Sequence, residues 1–453
     1  MLVSVLLLAA VSMAKSNPFY GDYYEGDQVL RVTPDTESKV QDVMKIHKVS
    51  GLEKLDSWMP TFRPNHPADF YAKKSELPII EDFLTNKSIP YRILIRNVTK
   101  AIWKQRTTRR RNRYKMGEYD YQKFHPLAEI HRELEKLGRE YANISEILNL
   151  GRSHEGREMK AIKILGRSKR SRKIFFIECG THAREWLSPA TCMWLIKTIL
   201  KDRRSEDNHS KRKEKMCNRI DWVIVPVINV DGYAYSWTKT GRFWRKNRRR
   251  PINSSDECIG IDLNRNWGYK WGGNGSSNDP CSSSYRGTAP FSEIETRNVA
   301  KYLYRNRCNL LGYIGLHSYS QFWMTPWGYK TELPEHYNEM KRVADVAIKA
   351  IKMAQGATYK EPGPSSEVIY SNTGSAKDWT YGVLHVQYSY GIELRPSYDG
   401  KYGFLVPADQ IRPSGEEIVA AIKSISTVLH LYEGRRLLNS KPSSKTHNHK
   451  NEM

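Results

Sequence analysis

Four stretches of the chain are apolar at almost every position: KIFFIECG (173–180), DWVIVPVINV (221–230), LGYIGLHSY (311–319) and QYSYGIEL (387–394). Runs of this kind, lacking the alternation of a half-exposed strand, fit strands covered on both faces. Helical patterns lie between them. The last begins after Pro413, where Ile418, Ile422, Ile425, Leu429 and Tyr432 keep helical spacing and mark a core-facing stripe. The interleaving predicts an α/β domain with a mixed, mostly parallel twisted sheet and helices on both faces. Ahead of it, residues 29–97 run through VLRVT, the helical stretch ESKVQDVMKIHKV, strand-like pieces near Trp58 and Phe70, a helix over Leu77 to Leu84, and YRILIRNV. That β-α-β-β-α-β order predicts a small ferredoxin-like α+β domain.

Between the two domains stands RTTRRRNR (106–113), basic and without apolar periodicity. A solvated linker and a processing site for a trypsin-like or furin-like protease are both consistent with it. The expected layout is a signal peptide over 1–14, the small domain over 15–105, a basic processing linker over 106–116, the large domain over 117–433 and a basic, non-periodic tail over 434–453. The opening run MLVSVLLLAAVSMA is too short to span a bilayer and ends in small residues, as a signal-peptidase site does, although it lacks a basic start. Secretion is therefore expected, with no membrane span. Sequons at Asn86, Asn97, Asn143, Asn208, Asn253 and Asn274 agree with it. So do six cysteines without a CxxC pair, which favour disulfides over a thiolate metal site.

The formal net charge is +24, supplied largely by the stretches 203–215, 242–250 and 435–450. A secreted cation of this size makes heparin-like sulfated glycans a better candidate partner than nucleic acid.

His182 and Glu185 stand in THAREW, directly after the first apolar run, and His317 closes another. Two His and one Glu at strand ends can form a catalytic zinc set whose fourth position is left to water, lowering its pKa to about 7. Alone, an H-x-x-E pair equally fits structural residues. Its neighbours read ECGTHAREWLSPA, INVDGYAYSW, FWRKN, GIDLNRNW, GLHSYSQ, VIYSNTGSAKDW and GIELRPS, in that order. From about Tyr119 to about Tyr432 this resembles the zinc metallocarboxypeptidases of the A/B type, and the upstream domain resembles their propeptide.

The resemblance implies one Zn2+ on His182, Glu185 and His317, with Asp262 orienting a ligand imidazole. It implies Glu393 as the carboxylate that takes a proton from the attacking water and passes it to the leaving amine, and Arg245 as the oxyanion donor. Asn264, Arg265 and the mobile Tyr370 would clamp the substrate's terminal carboxylate, with Arg184 and Tyr319 lining outer subsites. Cys258–Cys281 and Cys179–Cys192 match family disulfides; Cys217 and Cys308 would pair or stay free.

At the family's specificity position stands Lys377, which in sign of charge resembles carboxypeptidase O. A buried ammonium favours an acidic C-terminal side chain and repels a basic one. If Lys377 instead swings out to solvent, Met324, Ile369 and Gly391 leave an A-like apolar pocket. RPSYDGKYGF after Glu393 is two residues longer than in carboxypeptidase A, which leaves the role of Phe404 open. A zinc-binding but silent glycan-binding matrix protein is the reading from another class; the retention of Glu393, Arg245, Arg265 and Tyr370 argues against it.

Overall fold

The computed structural model describes residues 23–107, 118–166, 173–207, 220–251 and 258–439, the side chains of 205–207 and 430–439 excepted. The expected signal peptide, most of the linker, the end of the tail, Cys217, Asn208 and Asn253 lie outside these residues.

The N-terminal domain follows the predicted order. Strands β1 (Gln28–Val32), β2 (Asp56–Met59), β3 (Ala68–Ala72) and β4 (Tyr91–Ile95) form an antiparallel sheet in the order β2-β3-β1-β4, with α1 (Glu37–Met44) and α2 (Leu77–Asn86) in the crossovers. Leu30, Val32, Phe70, Ile80 and Leu84 fill its own core. A further helix, α3 (Val98–Arg106), starts at Asn97, whose side chain accepts from Lys100 N at 2.7 Å. It buries Val98, Ile102 and Gln105 on one stripe. That stripe joins Trp58, Tyr71, Tyr319 and Phe404 in a cluster shared by both domains. Arg106 is thus the last residue of a docked helix and not the start of a solvated linker: its guanidinium lies 5.1 Å from the rings of both Trp186 and Trp237.

The large domain contains α4 (Leu127–Glu140), β5 (Ser145–Arg152), β6 (Glu158–Ile164), β7 (Lys173–Cys179), α5 (Leu187–Asp207), β8 (Ile220–Val225), α6 (Val230–Ser236), α7 (Ile294–Arg305), β9 (Leu310–Ser320), β10 (Phe322–Thr325), α8 (Tyr337–Gln355), β11 (Gly363–Pro364), α9 (Ser365–Val368), α10 (Ala376–Gly382), β12 (Tyr388–Ser397) and α11 (Ile411–Asn439). The sheet order is β11-β10-β12-β9-β7-β8-β6-β5. The four apolar runs supply the parallel centre β12-β9-β7-β8; β10, β6 and β5 join antiparallel. Helix α11 continues to Asn439, past the expected boundary at residue 433. Glu, Arg and Leu in EGRRLLN are good helix formers, so the helix propagates after its apolar stripe has ended. Disulfides join Cys179 to Cys192 and Cys258 to Cys281, while Cys308 is exposed and bonded to no cysteine among the described residues.

Candidate metal centre and substrate pocket

Where β7 ends, Gly180 turns the chain with φ +65°, and a Cβ there would stand 3.1 Å from Val227 Cα. Only glycine fits such a turn comfortably. It brings His182 and Glu185 under the end of β9, where His317 sits beside Glu393 of β12 in register. One ligand atom from each of His182, Glu185 and His317 lies within 4.8 Å of the others, and all three residues are buried.

The donor set fits a cation. His182 Nε2 lies 3.1 Å from Asp262 Oδ1, so it donates there and leaves Nδ1 as a lone pair. That Nδ1 is 2.7 Å from Glu185 Oε1 and 3.3 Å from His317 Nδ1, which is 3.2 Å from Glu185 Oε2. Lone pairs and carboxylate oxygens converge on one point. Burial pushes Glu185 up, but the two imidazoles outweigh it and hold the carboxyl well below the usual range. Burial, then the Glu185 charge, push Glu393 up to about 8, and its Oε2 is buried with no partner among the described residues. A divalent cation would relieve this crowding of carboxylates.

Asp262 is the hub of the centre. Besides His182 it accepts from Arg245 Nη2 at 2.8 Å and from Asn264 N at 2.9 Å. Burial raises it, yet Arg245, His182 and Arg265 hold it well below the carboxylate range. Arg245 is partly buried, with Trp244 half-buried beside it. Asn264 Oδ1 accepts from Ala376 N at 3.1 Å, and Arg265 is pinned by Gly275 O at 2.7 Å from its Nε. Arg265 Nη2 reaches the Tyr370 hydroxyl at 3.3 Å. His182, His317, Arg245, Asn264, Arg265 and Tyr370 therefore line one pocket, together with Glu393.

The inner wall of that pocket is built from Gly315, Met324, Ile369, Lys377 and Gly391. Lys377 does not swing out: it is 6% exposed, and its Nζ is 2.6 Å from Asp378 Oδ1.

Arg184 and Tyr319 are buried by the small domain. Arg184 donates to Asp56 Oδ1 at 2.8 Å and to Ser57 O, and its guanidinium lies 4.4 Å from the Phe404 ring. The Tyr319 hydroxyl donates to Asp69, which Arg31 also grips. Sequence reasoning passed over Asp69, although a carboxylate in the fully buried strand ADFYA was a visible signal. It also pooled 242–250 with the net charge that pointed to a polyanion partner. Arg242 is fully buried, binding Gln105 Oε1 and Phe404 O, while Lys246 is buried and Arg249 pairs with Glu293. Contiguous basic residues hid these separate buried partners.

Residues 130–421 match the zinc carboxypeptidase family and residues 30–105 the carboxypeptidase activation peptide. The chain is 34% identical to carboxypeptidase A6 of Homo sapiens over 417 residues, covering 91% of this chain and 92% of that one. To carboxypeptidase B of Bos taurus it is 32% identical, covering 95% and 100%. Among solved structures, thrombin activatable fibrinolysis inhibitor superimposes with a TM-score of 0.79 at 33% identity, covering 88% of this chain and 98% of that one. With this match over both domains, the chain belongs to the zinc carboxypeptidases, a zinc-dependent peptidase of the A/B type whose catalytic domain is preceded by an activation peptide, as a zymogen requires.

Proposed function

We propose that this enzyme is secreted and releases acidic residues, Glu or Asp, from the C-termini of peptides. Lys377 is the observation that carries the preference: its side chain is buried in the pocket wall beside Gly315, Gly391, Met324 and Ile369. An incoming carboxylate offsets the desolvation of the ammonium, an Arg side chain is repelled, and Leu gains only contact with the methylenes. The observation favouring an A-like apolar preference is that the ammonium already has a partner in Asp378.

In this reading Arg265, Asn264 and the Tyr370 hydroxyl hold the substrate's terminal carboxylate, and the planar guanidinium gives that grip its direction. Zinc on His182, Glu185 and His317 would supply Lewis acidity and lower the pKa of water. Glu393 takes the proton of the attacking water and returns it to the leaving amine; its raised pKa and unpartnered oxygen suit both halves of that exchange. Arg245, aimed by Asp262, donates to the oxyanion. The convergence of these groups on one pocket supports catalysis over a silent glycan binder, which needs none of them.

Secretion is supported by the two disulfides and by the exposure of sequon residues Asn86, Asn97, Asn143 and Asn274. Among the described residues no helix is long and apolar enough to cross a membrane. Binding of heparin-like glycans rests on the net charge of +24 alone and is testable by elution with salt.

The deciding experiment is release of the last residue from matched peptides ending in Glu, Leu or Arg, using protein cleaved near Arg113, with and without a zinc chelator. Chelator-sensitive release of Glu well ahead of Leu is expected. Leu ahead of Glu retains the mechanism and removes the acidic preference.

A further inference from the structure

The charge that the pocket presents depends on two residues. Lys377 Nζ stands 2.6 Å from Asp378 Oδ1, and Asp378 is 1% exposed. The carboxylate cannot turn away, because its Oδ2 accepts from Gly328 N at 2.8 Å. Gly328 is itself fixed: its carbonyl accepts from Asn372 N at 2.8 Å, and a Cβ on it would stand 2.4 Å from Asn372 Oδ1. Adjacent residues on a helix do not normally face one another. Here the pair forms because Lys377 runs its methylenes past Gly391, its Cδ lying 3.6 Å from where a Cβ on that glycine would be.

We propose that Asp378 is a second specificity determinant, an internal carboxylate that competes with the substrate's acidic side chain for the Lys377 ammonium. Resting on the acidic preference proposed above, this explains how an ammonium can lie buried in the pocket wall. The empty site is a neutral pair, so its desolvation is bearable; an arriving Glu must share the ammonium with Asp378 or draw it away. The built-in carboxylate therefore reduces the advantage of Glu over Leu, and the pocket stays tolerant where a lone ammonium would be exacting.

The test is a competition between two peptides, one ending in Glu and one in Leu, in a single tube of the cleaved holoenzyme. The ratio of the two kcat/KM values is independent of how much of each variant is active. Assays are run on the acid side of neutrality, which favours the protonated lysine, because burial lowers Lys377 and Asp378 opposes that shift. Asp378→Asn and Asp378→Ser remove the charge while keeping an acceptor for Gly328. Each is expected to raise the Glu to Leu ratio about tenfold, equivalent to roughly 1.4 kcal/mol. Lys377→Met is expected to collapse the ratio. If Lys377→Met collapses it while both Asp378 variants leave it unchanged or lower it, Asp378 only supports the Gly328 turn and the inference is wrong. If Lys377→Met leaves it unchanged, the acidic preference falls and takes the inference with it.

Discussion

His66 lies in the propeptide loop before β3, 2% exposed, and neither ring nitrogen has a hydrogen-bond partner among the described residues. Its ring is covered by Phe62 at 4.3 Å on its own domain and stacks on Tyr398 of the catalytic domain at 5.7 Å. Burial first, then the positive charges of Lys360, Arg63 and Arg31, bring its pKa from 6.5 down to about 4. A docked His66 is therefore neutral, whereas an exposed one would titrate near 6.5. Docking strength from this residue is fully present above the exposed value and is lost as pH falls toward the docked one. The span from 6.5 to about 4 is worth at most roughly 3 kcal/mol, and about thirtyfold in affinity is gone by about pH 5. Thirtyfold is a ceiling, because Phe62 shields the ring in both states. The assay is dissociation of the clipped propeptide, followed by sedimentation at about pH 7.5 and about pH 5, in the parent and in His66→Gln. Asp56 and Asp69 contribute equally to both proteins, so the difference between the two pH slopes belongs to His66. The parent is expected to loosen much more than the variant on acidification. Equal slopes would refute the reasoning.

Glu393→Gln is expected to lower kcat roughly 100- to 10,000-fold, with the affinity for a competitive inhibitor nearly unchanged in steady-state kinetics. Stripping the metal with a chelator should abolish activity and lower the melting temperature, with Zn2+ restoring both and Mg2+ restoring neither, because a two-imidazole, one-carboxylate site suits a borderline-soft ion. Gly275→Ala would place a Cβ 1.7 Å from Ser371 O on a residue with φ +76°; it should cost about 2 kcal/mol or more in a thermal melt and raise KM, since Gly275 O holds Arg265.

The elements buried on both faces were the most legible, because runs such as KIFFIECG and QYSYGIEL have no other comfortable place than a central strand. The convergence of His182, Glu185 and His317 was readable for a related reason: they stand where those runs stop, in motifs with ordered neighbours. The hairpin β5–β6 was missed, since its strands lie at the sheet edge and mix Glu, Asn, Arg and Lys with apolar positions. Helix α3 was missed because its stripe is short and is completed by residues of both domains that lie far away in sequence. The Lys377–Asp378 pair and the burial of Arg242 depend on partners distant in sequence, or on a rotamer that spacing does not report.

The stretch RPSYDGKYGF is where the large domain meets the propeptide. Tyr398 stacks on His66, Gly400 O accepts from Arg31 at 2.9 Å, and Phe404 packs on Trp58 at 5.0 Å while its carbonyl accepts from Gln105. Gly403 lies so close to Trp58 that a Cβ there would be 2.7 Å from the indole. A loop bearing this many propeptide contacts is a docking ledge, and Phe404 belongs to it in the latent enzyme. Among the described residues no hydrogen bond or ion pair links the propeptide to His182, Glu185, His317 or Glu393; it holds Arg184, Tyr319 and Arg242 instead. His182, Glu185, His317 and Glu393 consequently stand together with the propeptide docked. Release of the propeptide is expected to leave the metal centre as it stands, and the contacts of His66 on Tyr398 and Asp56 on Arg184, which lie N-terminal to any cut after residue 107, are the ones whose loss should limit it.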